Sequence, residues 1–294
     1  MINYNKIEKI CRKYGADFEI NAPLALYTTF KIGGPCDFLI KINNQELVSE
    51  IVKSEIPFRI LGNGSNVLVK DEGIRGAVLL FGRDFANVFT DNENAYCEAG
   101  ANLTSVCHTM RDASLTGLEF AYGIPGTVGG AVYMNAGAYD GEISNVLVYA
   151  EYIDEDGVIK RLNEGFSYRK SSFMSAKRVI TSASFKLQKG DKAQIAAKME
   201  DFMNRRRDKQ PLEFPSAGST FKRPEGDYAS RLIDVCGLKG FSVGGAQVSE
   251  KHAGFIINKG NATCKDVLKL TEAVKERVFK ETGFMLEREV EVLG

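Results

Sequence analysis

The chain has 294 residues, of which 44% are apolar and 26% charged, the composition of a globular protein with room for two domains. Because 38 basic residues balance 38 acidic ones, the basic excess of a general nucleic-acid binder is missing, and neither DNA nor RNA is expected as a main partner. No apolar run approaches the roughly 20 residues that a membrane-spanning helix needs, so no membrane partner is expected.

The six cysteines and two histidines predict neither a metal site nor a disulfide framework. No CxxC pair occurs, and neither His108 nor His252 lies at metal-ligand spacing from a cysteine. Disulfides are unusual in a chain of this length without signs of secretion, and the segment MINYNKIEKICRKYGAD lacks the apolar core of a signal peptide. We therefore expect six reduced, mostly buried thiols and a cytoplasmic location.

Short elements are predicted in the first part of the chain. Ile7, Ile10, Cys11 and Tyr14 recur at helical spacing, and Gly15 suits a helix end, which predicts an N-terminal helix. The next predicted elements are strands over 38–42, 58–61, 67–69, 77–81 and 96–98 and helices over 45–54 and 103–114.

Regular elements return after a glycine-rich passage over residues 122–141. They are a hairpin of strands 146–154 and 158–162, a strand over 179–187, a helix over 192–208, a last helix, and a strand over 284–293. Pro211 and Pro215 mark a predicted domain boundary. Thr263 and Asp266 read as a capping box for the last helix, which Gly283 ends.

Two glycine-rich segments favour a nucleotide cofactor. Residues 62–66, GNGSN, lie between two short strands, where consecutive amides can form a nest for phosphate oxygens. The segment lacks the lysine of a P-loop and the third glycine of a dinucleotide fingerprint, so a tight hairpin turn is the alternative. Residues 122–142 hold six glycines, and a flat ligand packed on that backbone would offset the entropy of ordering it. Structural turns are the alternative there.

Three further segments carry polar residues whose roles the residues alone leave open. Arg169 in FSYRKSSF offers a fork for a carboxylate or phosphate, or is a solvated surface residue. Ser219 in PSAGSTFKRP is not in a GxSxG context, and it either delivers a proton or belongs to a turn. In LEREVEVLG, Glu287, Glu289 and Glu291 share one face of the predicted strand, and the spacing singles out none of them.

Taken together and in this order, the segments resemble those of the UDP-N-acetylenolpyruvoylglucosamine reductases, which act in peptidoglycan precursor synthesis. The resemblance extends from about Tyr27 to Glu289 and is to the shorter subclass, which lacks an inserted segment. The motifs that carry it are LGNGSNVLV, GIPGTVGGAVYMNAGAY, YRKSSF, AGSTFKRP and GLKGFSVGGAQVSEKHAGFIIN.

The resemblance implies an α+β protein with a two-subdomain FAD-binding fold of the vanillyl-alcohol-oxidase type and a C-terminal substrate domain. The implied domains are 1–85, 86–208 and 209–294, with the last strand returning Glu289 to the active site. FAD is expected to bind noncovalently, because no histidine stands beside the glycine segments. NADPH would be the co-substrate, and the oligomeric state is left open.

The resemblance also implies site residues. By motif, the catalytic ones are Arg169, Ser219 and Glu289. Hydride would pass from flavin N5 to C3 of the enol ether of UDP-N-acetylglucosamine enolpyruvate, and Ser219 would protonate C2. The implied FAD-binding residues are Gly62, Asn63, Gly64, Ser65, Asn66, Gly126, Thr127, Gly129 and Gly130. The candidates for the substrate phosphates are Lys222 and Arg223, followed by Gln247 and Tyr139.

Two other functions stay open at this level. A related flavoprotein could oxidise another hydroxy acid or sugar, but it would not need the proton donor that Ser219 would supply. A non-enzymatic nucleotide-sugar binding protein would not require FAD, and it would be colourless when purified.

Overall fold

The structure is a computed structural model that describes residues 4–175 and 177–294. The chain divides into two compact units. The first unit comprises Met1–Ile20, Phe38–Asn63 and Gly76–Arg205, and the second comprises Asn21–Asp37, Gly64–Arg75 and Arg206–Gly294.

Along the described part of the chain, single α-helices are separated by runs of one to six strands. The helices are α1 Tyr4–Lys13, α2 Gln45–Lys53, α3 Leu103–Asp112, α4 Val128–Met134, α5 Lys192–Lys209, α6 Ala229–Val235 and α7 Cys264–Thr282. The strands are β1 Phe18–Pro23, β2 Pro35–Lys41, β3 Phe58–Leu61, β4 Val67–Val69, β5 Ile74–Leu80, β6 Val88–Asp91, β7 Asn94–Glu98, β8 Leu115–Thr116, β9 Gly137–Ala138, β10 Gly141–Glu142, β11 Leu147–Ile153, β12 Ile159–Leu162, β13 Val179–Lys186, β14 Gln188–Lys189, β15 Ser216–Ser219, β16 Ser242–Val243, β17 Ala246–Val248, β18 Phe255–Asn258 and β19 Glu291–Leu293.

A five-stranded antiparallel sheet organises the larger part of the first unit, in the order β12-β11-β13-β7-β6. Its central strand β13 is buried at six of eight positions, because it lies between two neighbours and packs against α4. Apolar residues of α3, α4 and α5 complete this core, among them Met110, Val132 and Met199. The sheet therefore supports the loops on either side of α4.

The first unit has a second core around β3 and β5, which pair in parallel within a sheet of order β1-β2-β5-β3. Helices α1 and α2 contribute Ile7, Cys11, Leu47 and Ile51 to it. These are the apolar positions that recur at helical spacing, so amphipathicity explains why both segments are helical. Residues 62–63 leave this sheet at the end of β3.

The second unit is built around an antiparallel sheet of order β15-β18-β17-β16, with α6 and α7 contributing to the core. Phe30, Ile32 and Leu68, which come from earlier in the chain, lie in the same core. Leu68 belongs to β4, which pairs in parallel with β19. The last residues of the chain thus hold the strand that follows residues 64–66.

Most predicted elements are confirmed within a few residues. The hairpin forms with Ala150 opposite Leu162 and with Gly157 in a left-handed conformation at φ 72°. The capping box also forms, because the Thr263 side chain accepts from Asp266 N–H and the Asp266 side chain accepts from Thr263 N–H. Gly283 ends α7 at φ 76°.

Two predictions about the elements were wrong. The passage over 122–141 contains the helix α4, which Thr127 caps at its start and Asn135, at φ 44°, at its end. The strand predicted over 284–293 is limited to β19 because its partner β4 has only three residues. Leu286 and Val290 of this segment nevertheless lie in the core.

Candidate active site

In the first unit, residues 62–63 lie against the loop that precedes α4. A Cβ atom added to Gly62 would overlap the Thr127 hydroxyl, and the Asn63 side chain donates to the carbonyl of Pro125 at 2.6 Å. A residue larger than glycine at position 62 would require the Thr127 hydroxyl to move. The backbone N–H groups of Gly62, Asn63, Gly126 and Thr127 donate to no atom within residues 4–175 and 177–294, so they remain able to bind a ligand.

The start of α4 is closely packed against the sheet. Gly129 N–H donates to the Ala99 carbonyl at 2.9 Å, and an added Cβ would lie 2.9 Å from the Ala99 Cβ. The Thr127 hydroxyl accepts from Gly130 N–H at 3.4 Å, and Gly130 itself is exposed. The two glycines therefore have different roles. Gly129 permits close packing against Ala99, and Gly130 leaves the backbone accessible.

Arg169 is held in a narrow turn of the first unit. Ser167 and Lys170 exchange two backbone hydrogen bonds of 3.0 Å, and Arg169 between them has a left-handed φ of 54°. Its guanidinium donates to the Gly137 carbonyl at 3.0 Å and lies 5.1 Å from the centre of the Tyr168 ring. Arg169 is half-buried.

Tyr139 packs against helix α5 in the same unit. Its hydroxyl donates to the Phe202 carbonyl at 2.8 Å, and its ring stacks on the Phe202 ring with centres 4.3 Å apart. The backbone is left-handed at φ 51°. These contacts give Tyr139 a role in fixing the glycine-rich loop, and its contact with the substrate diphosphate stays a prediction.

In the second unit, a bulge in β15 determines how Ser219 is presented. Ser216 lies opposite Ile257 and Ser219 opposite Phe255, so the strand carries one residue more than its partner. Gly218 takes up the extra residue at φ 78°, a conformation that favours glycine. The bulge leaves Ser219 exposed between Gly218 and the buried Thr220.

Glu289 lies beside this bulge. Its backbone N–H donates to the carbonyl of Thr220 at 2.8 Å, and Lys222 N–H donates to the carbonyl of Glu287 at 2.8 Å. Residues 287–289 therefore run antiparallel to residues 220–222. Two of the predicted catalytic residues, Ser219 and Glu289, are brought together in the second unit, whereas Arg169 belongs to the first.

The candidates for the substrate phosphates are also engaged within the second unit. The Lys222 ammonium forms an ion pair with Glu287, and the Arg223 guanidinium lies 4.0 Å from the centre of the Tyr228 ring. The Gln247 side chain donates to the Gly240 carbonyl at 3.1 Å and to the Ser242 hydroxyl at 3.0 Å. These contacts orient the side chains, and phosphate binding by them stays a prediction.

Residues 64–66 are fixed by parts of the chain that sequence reasoning had not assigned to the site. Gly64, at φ 60°, accepts from Thr29 N–H at 3.1 Å, and the Thr29 hydroxyl donates to the Ser216 carbonyl at 2.7 Å. The Asn66 side chain donates to the Glu289 carbonyl at 3.4 Å. The TTF motif within 27–34 was the available signal for Thr29, because the resemblance began there.

The three glutamates of the last segment differ in environment. Glu287 is exposed and paired with Lys222, whereas Glu291 is half-buried, and burial raises the pKa of its carboxyl. The three glutamates therefore do not form one uniformly solvated acidic face. Among the described residues there is no group of His, Cys, Asp and Glu suited to a metal ion, and no helix there is long and apolar enough to cross a bilayer.

Two family models match parts of the chain, and a curated relative matches nearly all of it. The model for the UDP-N-acetylenolpyruvoylglucosamine reductase C-terminal domain matches residues 210–293, and that for an FAD binding domain matches residues 42–163. The UDP-N-acetylenolpyruvoylglucosamine reductase of Clostridium botulinum (strain Eklund 17B / Type B) is 49% identical over 281 residues, which are 93% of this chain and 92% of that protein. The chain belongs to the UDP-N-acetylenolpyruvoylglucosamine reductase family.

Solved structures support the same assignment. The crystal structure of the UDP-N-acetylenolpyruvylglucosamine reductase from Thermus caldophilus is 38% identical, with a TM-score of 0.81, covering 95% of this chain and 99% of that chain. A structure of alkyldihydroxyacetonephosphate synthase, at 16% identity and a TM-score of 0.50 over 64% of this chain and 41% of that one, shares the fold alone. The α+β fold of vanillyl-alcohol-oxidase type with a C-terminal domain is confirmed.

Family membership makes the chain an FAD-dependent oxidoreductase of peptidoglycan synthesis. The residues present fit FAD. Gly62 leaves no room for a side chain beside Thr127, and the amides of residues 62–63 and 126–127 have no protein acceptor within the described ranges. Unpaired amides on close-packed glycine backbone are donors that a diphosphate can use.

Proposed function

We propose that the chain reduces the enolpyruvyl ether of UDP-N-acetylglucosamine enolpyruvate to UDP-N-acetylmuramate, with NADPH as the electron source. The observation that carries the proposal is the bulge of β15, which presents the exposed Ser219 beside the segment that bears Glu289. An enzyme that only oxidised its substrate would have no use for a proton donor there. The reductase name of the relatives supports the same substrate.

FAD would be held by the backbone of two segments of the chain. We assign the pyrophosphate to residues 62–66, and we place Gly126, Thr127, Gly129 and Gly130 along the cofactor. When bound and reduced by NADPH, FAD supplies the hydride that reaches C3 of the enol ether. Binding is proposed to be noncovalent, because neither segment contains a histidine.

The protein groups would stabilise charge and deliver a proton. As negative charge develops toward the substrate carboxylate, the Arg169 guanidinium can donate two hydrogen bonds to it. Glu289 would shape the potential on the same group, and the Ser219 hydroxyl would protonate C2. Lys222 and Arg223, with Gln247 and Tyr139, are proposed for the substrate diphosphate.

Two further assignments complete the proposal. We propose that residues 1–85, 86–208 and 209–294 are three domains that fold and evolved as units. This division differs from that into the two compact units described above. We also propose that the enzyme works in the cytoplasm. All six cysteines are buried as thiols, which suits a reducing compartment.

The test separates the two half-reactions under anaerobic conditions. NADPH should bleach the flavin of wild type, and only UDP-N-acetylglucosamine enolpyruvate should restore its colour. Ser219→Ala should keep the NADPH step and slow the second step by about 10²–10⁴-fold, since it loses a positioned proton donor. Ser216→Ala, the same change before the bulge, is the matched control and should leave both steps within about twofold, as surface changes usually do.

Three outcomes would contradict the proposal. Equal slowing of both steps by Ser219→Ala would remove the proton-donor role. Reoxidation of the wild-type flavin by oxygen or another acceptor, but not by the enolpyruvyl sugar, would favour an oxidase. A colourless protein that does not bind added FAD would overturn the flavoenzyme assignment itself.

A further inference from the structure

Asn135, at the end of α4, is a buried polar residue that the proposed mechanism does not use. It is fully buried, and its backbone N–H bonds back to the carbonyls of α4 while its φ is 44°. Both atoms of its side-chain amide are engaged in the first unit. The Oδ1 atom accepts from Ser144 N–H at 3.0 Å, and the Nδ2 atom donates to the Ser167 carbonyl at 3.1 Å.

Ser167 is the first residue of the turn that carries Arg169. Its carbonyl accepts from Lys170 N–H as well as from Asn135, so one oxygen receives two hydrogen bonds. The other end of the turn is tied to the same region, because the Ser171 hydroxyl donates to the Tyr133 carbonyl at 2.6 Å. The end of α4 therefore holds both ends of the Arg169 turn.

The turn needs such support because its conformation is unfavourable. Arg169 has a left-handed φ of 54°, which costs a non-glycine residue about 1 kcal/mol or more and persists only where neighbours impose it. Asparagine suits position 135 for two physical reasons. It tolerates its own left-handed backbone, and it combines a donor and an acceptor on one short side chain.

We infer that Asn135 is a positioning residue for Arg169: it fixes the turn so that the guanidinium is aimed at the carboxylate of the enolpyruvyl group. The inference rests on the proposed function, since that function gives Arg169 its ligand. Asn135 makes no contact with substrate in this scheme. Its effect is expected on ligands and steps that involve the carboxylate, and not on the remainder of the UDP-sugar.

The test uses Asn135→Asp in the holoenzyme. The substitution keeps tolerance of the left-handed backbone and the acceptor for Ser144 N–H, but it places an oxygen against the Ser167 carbonyl. Calorimetry should show binding of UDP-N-acetylmuramate, which has the carboxylate, weakened about 10-fold or more, as expected when a buried carbonyl faces an unpaired oxygen. Binding of UDP-N-acetylglucosamine, which lacks the carboxylate, should stay within about twofold.

Kinetics and pH give independent readouts. Flavin reduction by NADPH should be nearly unchanged in Asn135→Asp, and reoxidation by the enolpyruvyl sugar should slow about 10–100-fold. The second step should recover as pH falls, because the protonated carboxyl can again donate to the Ser167 carbonyl. Ser172→Ala is the matched control. It removes a 3.1 Å hydrogen bond to the Glu164 carbonyl, also in this loop. It should change neither the ratio of the affinities for the two UDP-sugars nor the ratio of the rates of the two half-reactions.

The outcomes separate this inference from the proposed function. If wild type is reoxidised by the enolpyruvyl sugar and Arg169→Ala loses that step, the function stands. Equal weakening of both UDP-sugars, or no change in either, by Asn135→Asp would then overturn the positioning role alone. If that variant does not fold, Asn135→Gly tolerates the backbone without the amide. It should show the same selective loss, and the absence of that loss would overturn the inference.

Discussion

Gly62→Ala tests how closely the cofactor loop packs against α4. The backbone of Gly62 does not require positive φ, so the substitution is compatible with the main-chain conformation. The added Cβ would nevertheless overlap the Thr127 hydroxyl oxygen and lie 3.4 Å from the Thr127 Cβ and Cγ2 atoms. Relief requires that the hydroxyl turn away, which breaks its bond to Gly130 N–H at the start of α4.

The expected cost follows from two terms. Overpacking a filled site costs about 1–3 kcal/mol, and loss of an N-cap hydroxyl costs about 1 kcal/mol. Thr127→Ala alone should cost only the second term. In the double variant the overlapping oxygen is absent, so Gly62→Ala should add little, and the loss of flexibility in the unfolded chain could even offset about 0.5 kcal/mol. Because the cap hydroxyl is lost in each single variant but only once in the double variant, the predicted coupling is about 2–4 kcal/mol in favour of the double variant.

Urea unfolding of wild type, both single variants and the double variant, at one FAD concentration, measures this coupling. Gly82→Ala is the control, because an added Cβ there meets no atom within 4 Å. A flavin titration should show weaker FAD binding by Gly62→Ala and partial recovery in the double variant. If the two single costs simply add, overlap with the Thr127 hydroxyl is not the reason for glycine at this position.

Three other predictions follow from the described contacts. Thr263→Ala should lower the free energy of unfolding by about 1 kcal/mol, measured in urea, because it removes the cap of α7; an unchanged midpoint would contradict this. Burial raises the pKa of the Glu291 carboxyl in the folded protein, so the stability that this group contributes below its unfolded-state pKa is lost as pH rises through its folded-state pKa. Glu291→Gln should therefore raise Tm at about pH 7.5 but not at about pH 4. A difference in Tm between variant and wild type that is the same at both pH values would refute this. Burial also raises the pKa of Cys97 and Cys107 to about 12, so a thiol reagent should label them only after unfolding, and rapid native labelling would contradict their burial.

Local signals predicted those elements whose stability is itself local. The capping box at Thr263 and the turn at Gly157 act over three or four residues, so the sequence shows them directly. Helix α4 was missed because glycine has a low helix propensity. Its formation depends on packing of Val128 and Val132 into a core that no short window of sequence displays.

The candidate site, too, has a part that the sequence predicted and a part that it did not. Motif resemblance proposed Arg169, Ser219 and Glu289, but it gave no account of what orients them. Asn135 and Thr29 act on backbone carbonyls from 32 and 187 positions away, so neither periodicity nor local spacing could reveal their partners. The shortened final strand has a similar cause, because its length is set by β4 and not by its own alternation.

The pairing of β4 with β19 has a consequence for how the protein is made. Val67 of β4 can pair with Glu291 of β19 only after Glu291 has been synthesised, more than two hundred residues later. At a synthesis rate of about 5–20 residues per second, that delay is about 11–45 s. During this delay β4 has no strand partner among the described residues already made, so its backbone edge is exposed. This strand contains Leu68, a core residue of the second unit. During this interval the nascent chain carries an unpaired apolar strand, which favours aggregation until β19 has been made.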